Sequence, residues 1–242
     1  MTPKRPECQD FLGTELAVDT YRLVYSQWGN EMNLKQKGFT LVEIAIVLVI
    51  IGLLLGGILK GQEMITQAKI KNVIADFSGI SAAYYGYQDR YRAIPGDDSS
   101  ATRWTGATAG NGNGTVAGKY NSVTAGDESR LWWDHLRRAG FVAGTGQQQP
   151  LNAVVGMMGV ETGDGAASPG VALGGFTSLI MCSANLPDKI AIAIDSQMDD
   201  GQPGAGALRA QLQSAPNPNI AAAAASAYAE TGTNVYVACR QI

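Results

Sequence analysis

The sequence predicts an α+β protein in which a long amino-terminal helix carries an antiparallel sheet. Two observations predict this architecture. An uninterrupted apolar run at residues 39–59 continues into a helical stripe, and short apolar runs separated by turn residues are concentrated late in the chain. An antiparallel sheet packed on the second half of the helix would bury the apolar side chains of both the helical stripe and the short runs.

The composition limits the classes of function. The 242 residues include 18 Lys and Arg against 21 Asp and Glu, so the chain as a whole lacks the cationic excess of a nucleic-acid-binding protein. Its three cysteines, Cys8, Cys182 and Cys239, form no CxxC motif, and His135 is the single histidine. A zinc site is therefore not expected.

The apolar run FTLVEIAIVLVIIGLLLGGIL has the length of a transmembrane helix and is too long and too uniform for a buried core helix. The preceding residues, MNLKQKG, carry Lys35 and Lys37, which favour a cytoplasmic location for this flank. A secretory signal peptide would have a shorter apolar region followed by a small-residue cleavage site. We therefore expect residues 39–59 to stay in the mature protein as the transmembrane half of the helix.

Glu43 is a carboxylate near the start of this apolar helix, where an ionisable group is costly and indicates a function and a partner. A cut between Gly38 and Phe39 would create an α-amino group four residues from Glu43. Neighbouring copies could then pair the two groups across a helix–helix interface. In the alternative interpretation, the Glu43 side chain only extends to the lipid headgroups.

The segment KGFTLVE at residues 37–43, followed by the apolar run, resembles the cleavage and methylation signature of type IV prepilins and pseudopilins. The resemblance implies that a prepilin peptidase cuts after Gly38 and methylates the amine of Phe39. It implies that Glu43 neutralises this amine in a filament. It also implies that Gly52 matches a recurrent glycine of the family helix, where the helix can loosen on assembly.

The resemblance also predicts partners and location. The expected partners are other pilin or pseudopilin subunits, a prepilin peptidase and methyltransferase, an inner-membrane assembly platform and membrane lipid, whereas nucleic acid is not expected. The chain would cross the inner membrane once, with its head in the periplasm, and then join a periplasmic or extracellular filament. The leader is predicted as residues 1–38, or as MNLKQKG if translation starts at Met32, which we favour because residues 1–31 show no regular period.

The helix is predicted to continue through residues 60–94 as an amphipathic half, because apolar residues recur at three- and four-residue steps. Pro95 should end it, since proline disfavours helical backbone in the residue before it. Glycines at GxxxG spacing, Gly52/Gly56 and Gly57/Gly61, allow close helix packing in membranes, although ordinary tolerance of glycine in a membrane helix is the alternative.

Residues 95–242 are predicted to form the head. Residues 95–126 have the composition of a surface loop, in which Asp97 and Asp98 would cap a turn. A short helix is predicted at residues 127–139, starting at Asp127 and ending at Gly140, with His135 as a packed residue rather than a catalyst.

Strands are predicted at residues 176–182, 189–195 and 234–239. Residues 144–170 are expected to be mainly loop. The alanine-rich residues 220–228 are predicted to form either a short helix or a flexible insert.

Cys182 and Cys239 remain as a pair once a leader containing Cys8 is removed. The head would lie outside the cytoplasm, where disulfides persist. In pilins a disulfide commonly delimits the carboxy-terminal region, so this pairing agrees with the resemblance. Two buried thiols are the alternative.

The acidic turn DSQMDDGQPG places Asp195, Asp199 and Asp200 near glycines. Calcium takes six to eight oxygen ligands, so a calcium site is conceivable here, although the spacing does not match an EF-hand. An ordinary acidic turn is the favoured alternative because Asp and Gly are common turn formers. No other cofactor is expected.

Three functions compete. A structural subunit of a type IV pilus or a type II secretion pseudopilus needs no active site, and the sequence shows no Ser/His/Asp set, phosphate loop or metal cluster, so we do not expect an enzyme. An enzyme or receptor domain on a borrowed anchor would make Glu43 dispensable. A minor subunit that binds DNA or a secreted substrate would need a basic or aromatic patch, for which the candidates are Arg103, Trp104, Trp132, Trp133, Arg137 and Arg138.

Overall fold

The computed structural model describes residues 38–163 and 172–242. Along the chain it contains α1 (Leu41–Tyr91), a 3₁₀ helix (Ala101–Arg103), α2 (Glu128–Arg138), β1 (Met158–Thr162), β2 (Leu179–Pro187), α3 (Asp188–Met198), β3 (Leu208–Leu212) and β4 (Val235–Gln241). The chain divides after Gly56 into two units, which are described separately. The predicted leader, with Cys8, Met32, Lys35 and Lys37, lies outside the described residues apart from Gly38.

In the first unit, α1 exposes its apolar side chains on all sides. Every large apolar side chain from Leu41 to Leu55 is at least 46% exposed. Among the described residues, α1 is the one helix that is long and apolar enough to cross a membrane. A continuous apolar surface of this kind indicates contact with lipid or with another protein.

In the second unit, α1 buries one stripe of side chains instead of exposing all of them. The buried residues recur at three- and four-residue steps and are Ile70, Val73, Phe77, Ile80, Ala83, Tyr84 and Tyr87. The helix ends at Tyr91, slightly before Pro95. Arg92 adopts a positive φ of 55°, and its N–H donates to the carbonyl of Gln88 at 2.8 Å, which closes the last turn.

The four strands form one antiparallel sheet in the order β1-β2-β4-β3. One face of the sheet shares a core with the buried stripe of α1, and both α2 and α3 add side chains to this core. The opposite face forms a second apolar cluster with Tyr120, Leu173, Phe176 and Ile220. The predicted α+β architecture, a long helix with an antiparallel sheet, is confirmed.

The segment at residues 189–195 is helical, so the predicted strand there is wrong. In α3 the buried positions are Asp188, Ile190, Ala191, Ile194 and Asp195, which is a helical pattern. The isoleucines alternate with alanines, and because alanine is also apolar the alternation does not define two faces. Pro187 followed by Asp188 is a helix-start signal, and the Asp188 carboxylate accepts hydrogen bonds from the N–H groups of Thr231 and Gly232.

Two strands were not predicted. β1 lies within the residues expected to be loop, and β3 is a short strand at the edge of the sheet. The alanine-rich residues 220–228 match neither predicted alternative. They form no helix, and backbone hydrogen bonds connect them to other segments of the head. The N–H of Ala225 donates to the carbonyl of Ala210 in β3, and the N–H of Leu173 donates to the carbonyl of Ala221.

Buried carboxylates organise the loop between α1 and α2. Asp97 accepts hydrogen bonds from the N–H groups of Asn113 and Gly114, and Glu128 accepts from Asn111 and Ala117. Charged acceptors of several backbone N–H groups form strong hydrogen bonds, and they hold the glycine-rich residues 110–118, which form no helix or strand.

Asp98 stabilises the start of the same loop. Its carboxylate accepts hydrogen bonds from the N–H of Ser100 and the hydroxyl of Tyr87, and it forms an ion pair with Arg103 at 2.8 Å. The predicted turn at Asp97 and Asp98 is therefore present, with Asp98 as its side-chain acceptor. Asp127 is the N-cap residue of α2, but its carboxylate accepts from Ser122 rather than capping the helix.

Cys182 and Cys239 form a disulfide between directly paired positions of β2 and β4, with their Cα atoms 4.0 Å apart. Both cysteines are fully buried in the second cluster. The bond therefore joins the two central strands of the sheet on the face opposite α1.

Glu161 in β1 is 3% exposed, and its carboxyl accepts one hydrogen bond, from the N–H of Tyr120 at 2.9 Å. Burial raises the pKa of Glu161 to about 7, against an ordinary value of 4.5, and the N–H of Tyr120 and the charge of Lys119 offset only part of that rise. The sheet thus contains a carboxyl group that titrates near neutral pH.

We expect removal of the disulfide to destabilise the head. The bond closes a loop of 57 positions, and a loop of this length contributes about 4 kcal/mol in the chain-entropy model. The double variant Cys182→Ala/Cys239→Ala should melt about 10 °C below the wild type. Melting curves of the purified protein with and without reductant test this, and equal melting temperatures in all samples would contradict it.

We also expect the Glu161→Gln variant to change how stability depends on pH. Because the folded head binds the Glu161 proton more tightly than the unfolded chain, the neutral carboxyl contributes its full stability below about pH 4.5 and loses it as the pH rises through 7. The variant should gain stability relative to the wild type between pH 5 and 8, by at most about 3 kcal/mol.

The measurement for Glu161 is the difference in unfolding free energy between the two proteins. Burial lowers the pKa of His135, so this residue lowers the stability of the fold as the pH falls below 6.5, its ordinary pKa. The contribution is the same in both proteins and cancels in the difference. A difference that stays constant from pH 5 to 8 would exclude the role of Glu161.

Candidate functional site

The predicted cleavage position lies immediately before α1. Gly38, Phe39 and Thr40 are not helical, and α1 begins at Leu41. The Phe39 side chain is 83% exposed. The peptide bond after Gly38 therefore lies in non-helical chain next to a helix start, where a protease can bind the backbone.

Thr40 and Glu43 form a capping box at the start of α1. The Thr40 N–H and hydroxyl both donate to Oε2 of Glu43, at 2.7 and 2.8 Å, and the Glu43 N–H lies 3.2 Å from the Thr40 hydroxyl. This reciprocal arrangement satisfies backbone N–H groups that have no partner within the helix. It also fixes the position of the Glu43 carboxylate.

Thr40 has a role that was not predicted from the sequence, although its signal was present. Thr-x-x-Glu directly before an apolar run is the capping-box pattern, and residues 40–43 match it. Glu43 therefore has an intramolecular role in addition to the predicted intermolecular one. Both hydrogen bonds from Thr40 use Oε2, so Oε1 accepts no hydrogen bond from the described residues.

Gly52 lies within the apolar part of α1, about two and a half turns after Glu43. A Cβ built at this glycine meets no atom within 4 Å, and the same holds for Gly56, Gly57 and Gly61. Packing within the described subunit therefore does not require glycine at any of these positions.

The structure brings Asp195, Asp199 and Asp200 together, with one oxygen from each within 4.8 Å of the others. Protein donors already use these carboxylates. Asp195 accepts from the hydroxyl of Tyr228 at 2.7 Å and Asp199 from the N–H of Leu208 at 2.8 Å. A Cβ at Gly206, whose φ is +72°, would overlap the Asp199 carboxylate, so the turn is built closely around it.

His135 is fully buried in α2, and both of its ring nitrogens have backbone partners. Nδ1 accepts from the N–H of Gly96 at 2.9 Å, and Nε2 lies 2.8 Å from the carbonyl of Thr108. Burial lowers the pKa of His135 and so favours the neutral form of the ring. The residue joins α2 to the loop after α1 and has no free nitrogen for catalysis.

The candidate residues for a basic or aromatic patch are mostly committed to internal contacts. Trp132 and Trp133 are fully buried. Arg138 pairs with Asp134 at 2.7 Å, Arg137 donates to the carbonyl of Gly146, and the Arg103 guanidinium, paired with Asp98, lies over the Trp104 ring. Two of the three arginines are thus paired with a carboxylate, whereas Arg137 is bound only to carbonyl groups.

Residues 33–59 match the family model for the prokaryotic N-terminal methylation motif. No curated protein and no solved structure matches the chain significantly. The matched residues include the predicted cleavage position, the capping box, Gly52 and the exposed apolar part of α1. A motif of this type points to a structural subunit rather than to an enzyme. The chain therefore carries the amino-terminal signature of a type IV pilin or pseudopilin precursor, on an α+β, type IV pilin-like fold.

Proposed function

We propose that the chain is a structural subunit of a type IV pilus or of a type II secretion pseudopilus. In this proposal a prepilin peptidase cuts after Gly38 and methylates Phe39, and an assembly platform then moves the subunit from the inner membrane into a filament of like subunits. The observation that carries the proposal is Glu43, a carboxylate held at the start of a helix whose apolar surface is exposed.

Electrostatics supports the pairing of Glu43 with a cleaved amino terminus. An α-amino group has an ordinary pKa near 8 and is mostly cationic at neutral pH. A carboxylate within a membrane helix costs about 3 kcal/mol on insertion scales, and an opposite charge reduces that cost. Thr40 holds Oε2 and leaves Oε1 free of described donors, so the Phe39 amine of a neighbouring copy can bind Oε1 without breaking the capping box.

The two parts of α1 fit the proposed location. Residues 39–59 would lie in the inner membrane, and after assembly their exposed apolar side chains would pack against other subunits. The glycines at 52, 56, 57 and 61 would allow these helices to approach closely. Residues 60–94 and the head, residues 95–242, would lie in the periplasm, where the Cys182–Cys239 disulfide is stable.

We expect charge, rather than helix capping, to be the essential property of Glu43. Glu43→Gln keeps a capping-box acceptor but removes the charge, whereas Thr40→Ala removes the cap, at about 1 kcal/mol, and keeps the charge. Glu43→Ala and Glu43→Gln should both insert into the membrane normally but enter filaments at least about tenfold less well, since an unpaired amine is left buried. Thr40→Ala should assemble nearly as well as the wild type.

The measurement is the amount of each variant in sheared filaments relative to the amount in the membrane fraction. Assembly of Glu43→Gln at the wild-type level would refute the proposed pairing. Loss of assembly in Thr40→Ala together with retention in Glu43→Gln would assign the role of Glu43 to the capping box instead.

We propose that the acidic turn at Asp195, Asp199 and Asp200 is held by protein donors rather than by calcium. The basis is that Tyr228 and Leu208 already donate to two of these carboxylates. Calcium at millimolar concentration should leave the melting temperature unchanged, while Tyr228→Phe should lower it by removing a hydrogen bond to the buried Asp195, which contributes about 1–3 kcal/mol. A calcium-dependent rise that Asp199→Asn abolishes would instead establish a metal site.

A further inference from the structure

Asp76 differs from every other carboxylate in the described part of the chain. It lies in α1, is partly buried, and forms no hydrogen bond or ion pair with a described residue. All other described Asp and Glu residues accept at least one hydrogen bond or pair with a cation. Apart from Asp76, the described part of the chain therefore satisfies its acids internally.

The position of Asp76 makes its lack of a partner costly. On α1 it lies three residues after Val73 and four before Ile80, both of which are buried, so the carboxylate stands at the border of the buried stripe. Burial raises its pKa above the ordinary value. An acid that is already partly removed from water would lose more water if another helix packed beside it, and it would then require a cation.

The same part of α1 contains cations without a partner. Lys60 pairs with Glu63, and Arg90 lies over the Tyr91 ring. Lys69 and Lys71 form no ion pair with the described residues, and Lys71 is exposed. The helix thus presents one unpaired acid and two unpaired lysines within two turns.

Helix geometry separates the two lysines. At 3.6 residues per turn, Lys69 lies on the same side of α1 as Asp76, within about 20°, whereas Lys71 lies about 140° away around the axis and about 7.5 Å along it. A filament of identical subunits uses head-to-tail interfaces, in which one face of a subunit meets a different face of the next. Such an interface can join Asp76 to Lys71 of another copy, but not to Lys69.

We propose that in the assembled filament Asp76 of one copy pairs with Lys71 of the next, between parallel α1 helices offset by about five residues. This inference rests on the proposed function. The proposed pairing of Glu43 with the next copy's Phe39 amine requires, taken by itself, an offset of about four residues in the same direction. Each pair therefore favours a similar axial displacement between neighbouring copies.

Charge reversal tests the pair in the full chain. Asp76→Lys and Lys71→Asp should each lower filament yield about tenfold, because each places like charges opposite one another, and the double variant should recover most of the yield. Lys69→Asp combined with Asp76→Lys is the matched control and should not recover. Melting temperatures and membrane fractions of all variants verify that the subunits fold and insert.

Cysteine cross-linking tests the same geometry without charge reversal. Asp76→Cys combined with Lys71→Cys should give a ladder of covalent oligomers in oxidised filaments, whereas Asp76→Cys combined with Lys69→Cys should not. Wild-type yield in Asp76→Lys, recovery by Lys69→Asp, or a ladder only in the Lys69 variant would each overturn the assignment. If the wild-type chain forms no filament, the proposed function fails instead, so the two failures are distinguishable.

Discussion

One helix has to meet two different environments, and the rest of the structure follows from this constraint. In its first part α1 exposes apolar side chains all round, which is stable only against lipid or other apolar helices. In its second part the apolar side chains narrow to one stripe, which the head covers. The side chains of Thr40 and Glu43 at the start of the helix are therefore important, because few other side chains in that part can form a hydrogen bond.

The head uses carboxylates where it has little regular structure. Long loops follow α1 and β3, and each is held by acids that accept hydrogen bonds from several backbone N–H groups or from a tyrosine hydroxyl. Asp97 and Glu128 hold the first loop, while Asp188 and Asp195 hold the loop before β4. On the sheet face opposite α1, where a smaller cluster is buried, the disulfide adds a covalent constraint between the central strands. The carboxylates and the disulfide together stabilise a head whose strands are short.

Features coded over short distances could be predicted from the sequence. The apolar run, the cleavage signature, the antiparallel sheet and α2 depend on local patterns, and the cysteines form the expected pair. The helix α3 was missed because alternating isoleucine and alanine resembles a strand, and its true period is visible only when burial is known. β1 and β3 were missed because a glycine or polar residue interrupts each short run, and their pairing partners lie far away in sequence.

The candidate site shows the same division. Its positions around Gly38, Phe39 and Glu43 follow from residue type and spacing, and the capping box could have been found in the same way. The lack of a partner for Asp76 could not be predicted from the sequence, because it depends on which donors and cations the fold brings close to each carboxylate.

In the proposed function, Glu43 serves a cleaved and assembled amino terminus. The decisive measurement is the intact mass of the chain isolated from membranes and from sheared filaments. We expect a chain that begins at Phe39 and carries one methyl group on its amino terminus. A chain that retains the residues before Phe39 and remains a monomer in the membrane would contradict it.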